Sequence, residues 1–304
     1  MRRMKQAVIY IFLLCMVCCF FSCKNDGQMS ETNSNNHEFI VYEIGNQQDH
    51  VSVYGTHDYM FKDDVSTITD TTKTEQSVDI SVGDISFEGL YEQTKRHMLF
   101  GTIQNQYVGV DSRGRTVEFA IDEATGLLSR LFYPDMPLKT EHILTQQECM
   151  AVARGFIENV VDNSDEYTIY QTDETDVPEY GGKYYEFYLS RKIGELYSDD
   201  ELVVKVSAYG VVEYYHAQYL SELSVDEDII FNRDELEKVI SDKLIEIYGD
   251  SADTVSYTYE IAQERLTCLH DGNKYLRYQI RVIFQSENEY NSAEDIELVI
   301  QINN

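Results

Sequence analysis

Apolar residues recur at Cys149, Val152, Ala153, Phe156, Ile157 and Val160. They stand three and four positions apart, the spacing that lays one stripe along a 3.6-residue helix. Thr145-Gln146-Gln147-Glu148 opens this stretch as a capping box. In that motif the Thr hydroxyl accepts from the N–H three residues on, and the Glu reaches back to the Thr N–H. A second stripe, Leu236, Val239, Ile240, Leu244 and Ile247, follows Asn232-Arg233-Asp234-Glu235, an Asn cap with a Glu at the same offset. Counted from the caps, Cys149 matches Leu236, Val152 matches Val239, Ala153 matches Ile240, Ile157 matches Leu244 and Val160 matches Ile247. Phe156 breaks the agreement by falling opposite Lys243, a residue whose stem covers apolar surface while its charge reaches water.

After each stripe the period changes to two. Tyr185, Phe187 and Leu189 alternate with Tyr184, Glu186 and Tyr188. Leu276, Tyr278, Ile280, Val282 and Phe284 alternate with Arg277, Gln279 and Arg281, following Gly272-Asn273-Lys274. Alternation with one polar face describes half-buried strands. Leu202, Val204, Val206 and Ala208 give a further strand, and Ile296, Leu298, Ile300 and Ile302 its later counterpart. The expected fold class is α+β: repeated modules of one helix packed on an antiparallel β-sheet, preceded by a mainly β N-terminal region. The module boundaries fall at 138–220 and 229–304. Pro134-Asp135-Met136-Pro137 marks the first joint, because Pro interrupts a strand ladder, and the acidic run 221–228 marks the second.

The region 38–133 reads as mainly β. Residues 39–44 and 50–54 flank Gly45-Asn46 as a hairpin. Residues 63–77, rich in Thr, Asp and Lys, read as a loop. Residues 87–97 have the makings of a short helix that Gly89 weakens. Residues 107–110, 116–121 and 127–133 read as strands, with a turn at Asp122-Glu123-Ala124-Thr125-Gly126 in which the Gly supplies a positive φ.

Val117-Glu118-Phe119-Ala120-Ile121-Asp122 followed by Thr125-Gly126-Leu127-Leu128 resembles the strand–TG–strand hairpin of PepSY-type domains. Val204-Lys205-Val206 through Tyr209-Gly210-Val211-Val212 is similar, with Tyr209 in place of Thr. The helix opened by Thr145-Gln146-Gln147-Glu148 and Ala151 resembles the helix that precedes the sheet in that family. The resemblance covers 145–220 best and the second copy in part, since the chain stops at Asn304 before a closing Gly-turn strand. It implies an extracytoplasmic module associated with protease inhibition or cell-surface regulation, and it carries no catalytic residues to transfer.

The first 22 residues form a targeting segment. Arg2, Arg3 and Lys5 precede the apolar run 8–21, which is short for a membrane span and is followed by a polar tract. Ser22-Cys23 resembles the lipobox of bacterial lipoproteins, in which a small residue precedes the Cys that is acylated. Phe20 and Phe21 depart from the usual Leu and small residue. The assigned lipidation site is Cys23, with an ordinary secretory signal as the alternative. Residues 23–37, polar and almost without apolar side chains, read as a flexible tether. Beyond Cys23 the mature chain carries Cys149, on the helix stripe, and Cys268, and their spacing asks for neither a disulfide nor a metal site.

Charge narrows the partners. Lys and Arg number 24 against 54 Asp and Glu, a formal net charge of −30, and loss of Arg2, Arg3 and Lys5 takes it to −33. Such a surface repels phosphate backbones, so nucleic acid is excluded as a partner and cationic peptides or divalent ions are favoured. The seven His (His37, His50, His57, His97, His142, His216 and His270) show no metal-site spacing. There is no Gly-x-Ser-x-Gly, Walker loop or dinucleotide fingerprint. Asp162-Asn163-Ser164-Asp165-Glu166 and Ser198-Asp199-Asp200-Glu201 supply oxygens for a weak Ca²⁺ site but lack the EF-hand pattern, so they read as solvated turns. Tyr184-Tyr185-Glu186-Phe187-Tyr188 and Tyr214-Tyr215 read as sheet residues. No cofactor is expected.

The resulting expectation is a membrane-anchored extracytoplasmic lipoprotein of the cell envelope with a non-catalytic binding or regulatory role towards a protein or peptide partner. A shortened second module would leave an open sheet edge for strand addition. The alternatives are a structural or carrier protein for cations or a polar ligand, and a hydrolase without a recognisable motif. Cys23→Ala is expected to release or mislocalise the protein in a membrane fractionation; unchanged retention would count against lipidation.

Overall fold

A computed structural model describes residues 41–43, 65–68, 77–97, 100–135, 139–177, 182–224, 229, 231–249, 256–270, 272–285 and 292–302. Cys23, the signal and tether segments, His37, His50, His57 and the Gly45-Asn46 turn lie outside the described residues.

The strands are β1 (Val41–Glu43), β2 (Val65–Ile68), β3 (Ser77–Val82), β4 (Ile85–His97), β5 (Ile103–Asp111), β6 (Thr116–Asp122) and β7 (Leu128–Phe132). Helix α1 (Gln146–Val160) leads to β8 (Tyr167–Val177), β9 (Gly182–Ile193), β10 (Leu196–Ser207) and β11 (Val212–Gln218). Helix α2 (Arg233–Tyr248) leads to β12 (Ser256–Cys268), β13 (Lys274–Gln285) and β14 (Ser292–Gln301). All fourteen strands among the described residues belong to one sheet, ordered β1-β14-β13-β12-β10-β11-β7-β6-β5-β4-β2, with β3 beside β4 and β9 and β8 branching from β10.

This corrects the expected fold class. The chain is predominantly β, and its strands do not divide into repeated helix-on-sheet modules. The reason lies in β10. Along one side it pairs antiparallel with β9. Along the other it pairs with β11 through Glu201–Val206 and then, at Tyr197 and Ser198, runs parallel to Arg265 and Leu266 of β12. One strand therefore serves both halves of the chain. The edge expected on the second copy is also covered, because Val41–Glu43 pairs with Leu298–Ile300 of β14. Residues 87–97 form β4 rather than a helix, and β2 lies within the expected 63–77 loop.

Both helices form where their caps direct. At α1 the Glu148 carboxylate accepts from the Thr145 N–H at 2.8 Å, and the Thr145 hydroxyl accepts from the Glu148 N–H at 3.4 Å. Cys149, Ala153 and Ile157 share one core with Phe187, Leu202, Val204 and Val206 of the central strands, and with Phe87 and Phe119 of the N-terminal strands. At α2 the Asn232 side chain accepts from the Asp234 N–H at 3.1 Å. Leu236, Ile240 and Leu244 join Leu276, Tyr278, Leu298 and Ile300 in a second core. Lys243, the exception in the stripe, is buried and pairs with Glu246 at 3.2 Å.

A pair of glycines sets how closely β4 and β5 approach. Gly89 and Gly109 are register partners. A Cβ on Gly109 would meet the Glu88 carbonyl oxygen at 1.9 Å, and one on Gly89 would meet the Phe119 ring at 2.6 Å. Gly155, inside α1, has nothing within 4 Å of its Cβ position. Gly109→Ala should therefore destabilise the fold by about 3 kcal/mol through overpacking, whereas Gly155→Ala should stabilise it by about 0.5–1 kcal/mol through helix propensity. Urea melts of the two variants check both signs.

A candidate binding cleft beside a buried ion-pair cluster

Ser198-Asp199-Asp200-Glu201 is the largest departure from the sequence reading. It is no solvated turn: all four residues are buried within β10. The local pairing explains how a strand holds them. Between the register pairs Lys192–Tyr197 and Ser190–Glu201, β9 advances two residues while β10 advances four. The extra residues form a bulge, which leaves side chains out of the ladder and re-aims them.

Three arginines from other strands meet that bulge. Arg277 of β13 donates from Nε and Nη2 to the two carboxylate oxygens of Asp199, at 2.6 and 2.7 Å, and from Nη1 to Glu297 at 3.2 Å. Arg265 of β12 donates from Nη1 to the Ser198 carbonyl at 2.8 Å and lies 3.6 Å from Glu201. With its amide oxygen turned towards Arg265, Gln263 accepts from Nη2 and Nε of that guanidinium. Arg191 of β9 donates to Asp200 at 2.9 Å and pairs with Glu166, while the Tyr167 hydroxyl donates to Asp200 at 2.6 Å. Asp199 is 0% exposed, Arg265 1% and Arg277 2%. Two charges buried this deeply persist only when paired in good geometry.

Titration follows the same contacts. Burial opposes the charge on Arg277, but Asp199 and Glu297 outweigh it and raise its pKa further above the ordinary guanidinium range. Burial pushes the Asp200 carboxyl up, against the pull of the Tyr167 hydroxyl and Arg191. The Tyr167 phenol rises well beyond its usual value through burial and the neighbouring Asp200.

Next to this cluster opens a cleft of about 490 Å³. Tyr170 and Gln171 of β8 and Tyr197 of β10 line one side. Ala262, Gln263, Glu264 and Arg265 of β12, Gln279 and Arg281 of β13, and Asp295 of β14 line the rest. Tyr170 links cleft and cluster: its ring lies 4.4 Å from the Arg265 guanidinium, its hydroxyl donates to Glu201, and it sits 5.3 Å from the Tyr197 ring. The charged lining residues find partners locally. Glu264 accepts from both terminal nitrogens of Arg233 at 2.9 Å and from the Tyr278 hydroxyl at 2.5 Å, and Arg281 pairs with Asp295 at 2.9 Å. Besides these pairs the cleft is lined by two phenol rings and three side-chain amides: Gln171, which donates to Asp173 at 3.0 Å, Gln263, whose oxygen serves Arg265, and Gln279.

Two further register breaks border it. Tyr170 is the residue skipped between Ile169 and Gln171 in the β8–β9 ladder, and Ala262 is skipped between Ile261 and Gln263 in the β12–β13 ladder. Counting the β10 bulge, three irregularities in three strands converge on one cavity. Bulges concentrate where a sheet re-aims side chains towards a site.

The other sequence candidates fall elsewhere. Asp165 and Glu166 lie in the short turn of 3₁₀-helix after α1, where Glu166 meets Arg191 and Asn163. Among the described residues, no group of three or more His, Cys, Asp or Glu is arranged to hold a metal ion. His97 stacks on Phe100, and His216 lies on β11, where burial, helped by Arg130 and His97, lowers its pKa to about 3. Cys149 and Cys268 are both buried thiols, and Cys149 donates to the Ser207 carbonyl at 3.6 Å. The signal that could have exposed the cluster is the placement of Arg191, Arg265 and Arg277 within strand-forming stretches of a chain with few cations.

No family model and no curated protein matches the chain. Among solved structures, it is similar to the Bacillus megaterium YpeB C-terminal domain at a TM-score of 0.34 and 11% identity, over 82% of this chain and 94% of that one.

Arg277→Met should cost about 3–5 kcal/mol, because it leaves Asp199 buried without its bidentate partner. The double variant Asp199→Asn, Arg277→Met should be more stable than Arg277→Met alone, since the more deeply buried of the two stranded carboxylates, Asp199 and Glu297, is gone. Chemical denaturation of both variants, of Asp199→Asn alone and of the unsubstituted protein measures the coupling.

Proposed function

We propose that this protein is a membrane-anchored, extracytoplasmic lipoprotein, tethered through Cys23, whose work is non-catalytic binding of a protein or peptide partner at the β8–β12 cleft. The observation that carries the reading is the convergence of three strand irregularities on one cleft. Its Tyr rings and side-chain amides suit a polar chain with exposed peptide groups. The charged residues around it are spent on one another, which suits a binding surface.

A side-chain amide carries both donors and an acceptor, as a peptide backbone requires; Gln279 brings both to the cleft, and Gln263, with its oxygen on Arg265, brings its donors. Tyr170 and Tyr197 add broad contact area at small conformational cost. The flexible tether of 23–37 would hold this surface clear of the lipid headgroups.

A photo-reactive benzoylphenylalanine placed at Gln279 or Gln171 tests the reading in intact cells. Irradiation should give a discrete covalent protein adduct from both cleft positions and none from Glu237, an exposed residue of α2. Silence at both cleft positions, or the same adducts from Glu237, would remove the cleft as the binding surface.

A further inference from the structure

Over Ser256–Glu264, β12 is paired along one side with β13. Its other side meets β10 only at Arg265 and Leu266, so over Ser256–Glu264 that side faces no strand among the described residues. Most of this stretch is exposed on both faces of the sheet, with Tyr259 at 38% and Ile261 at 43%. A strand side without a neighbour presents a row of backbone donors and acceptors, and proteins usually blunt it with charge. The edge of β8 is blunted in that way by Asp173, Glu174 and Asp176, all exposed. The β12 edge instead carries Tyr259 and Ile261 around Glu260, its other acid, Glu264, being held by Arg233 and Tyr278, and it enters the cleft at Ala262 and Gln263.

We propose that the occupant of this site is an extended, cationic peptide segment that adds to β12 as a further strand and lays one side chain against the paired rings of Tyr170 and Tyr197. This deepens the binding role proposed above and rests on it. Strand addition draws its affinity from backbone hydrogen bonds and its selectivity from pockets for alternate side chains. Charge selects the sign of the occupant. The chain carries −30, and Glu260, exposed, stands on the β12 edge itself. The nearby cations Arg233, Arg265 and Arg281 are each engaged by a carboxylate, so the field met by an incoming segment is negative. A second copy of this chain, equally acidic, is disfavoured by the same field.

The test is amide hydrogen exchange on the full-length protein purified from membranes in detergent. The probe is an acetylated and amidated nine-residue peptide alternating Lys with Val and Thr. It should slow exchange between Ser256 and Glu264 at least tenfold. A peptide with Glu in place of Lys should not, and neither should the Lys peptide N-methylated at alternate amides, which keeps the side chains and charge but cannot complete the ladder. Ala262→Pro, at the bulged position that has no β13 partner, should abolish the effect while leaving exchange in β9 and β10 unchanged; Ile261→Asp should weaken it at least tenfold. Equal slowing by the N-methylated peptide, no slowing by the Lys peptide, or saturable binding of a neutral oligosaccharide in the cleft without slowing at β12 each overturns strand addition. If cleft cross-linking captures a partner while β12 stays unprotected, the inference falls and the binding role stands. If cross-linking is silent as well, both fall.

Discussion

The pairing of Arg277 with Asp199 constrains everything else in the molecule. Asp199 belongs to a bulge of the central strand and Arg277 to a strand laid down 78 residues later. Neither charge can be buried without the other, so the β12–β14 strands must dock on β10 in one register. The parallel contact between β10 and β12 is short, two residue pairs, too few backbone bonds to define a register alone. The guanidinium contacts of Arg265 and Arg277 supply the missing specificity. We attribute their retention to registry: a buried ion pair adds little net stability compared with an apolar pair of similar size, yet it penalises every misaligned alternative.

The same feature produces the cleft. Because β10 departs from regular pairing at Ser198–Asp200, β12 can join it there and still run on past it without a neighbour. Tyr170 fills the corner, bonded to Glu201 on one side and stacked over Arg265 on the other. The ion cluster thus acts as a rigid floor, with polar groups fixed by their partners, beneath a cavity whose walls come from β8 and β12. A site built on strands and locked from below is held more accurately than one carried on loops.

Local signals in the sequence were legible wherever they needed no distant partner. The capping box at Thr145 and Glu148, the α1 stripe, the α2 stripe and the Asp122–Gly126 turn were all readable, since each depends on residues within a few positions of one another. Gly126 does adopt a positive φ of 71°. Residues 87–97 were misread because Leu90, 65% exposed, puts an apolar side chain on the solvent face of β4 and so masks the alternation of Phe87, Gly89 and Tyr91. The acidic run 198–201 was misread because its neutralising groups lie on other strands, and nothing adjacent in sequence distinguishes a buried Asp-Asp-Glu from a solvated one. The modular fold failed for the same reason: two similar helix caps say nothing of the strand that both halves share. The cleft, assembled from five strands, left no contiguous trace.

The account depends on the two halves forming one cooperative unit through β10. Native-state hydrogen exchange as a function of denaturant measures this directly. The buried amides of β10, of β12 from Arg265 to Cys268, and of β13 should exchange through one global opening, with a common free energy and a common denaturant dependence. Exchange of β12–β14 through a separate, lower-energy opening that leaves β9–β11 protected would contradict it.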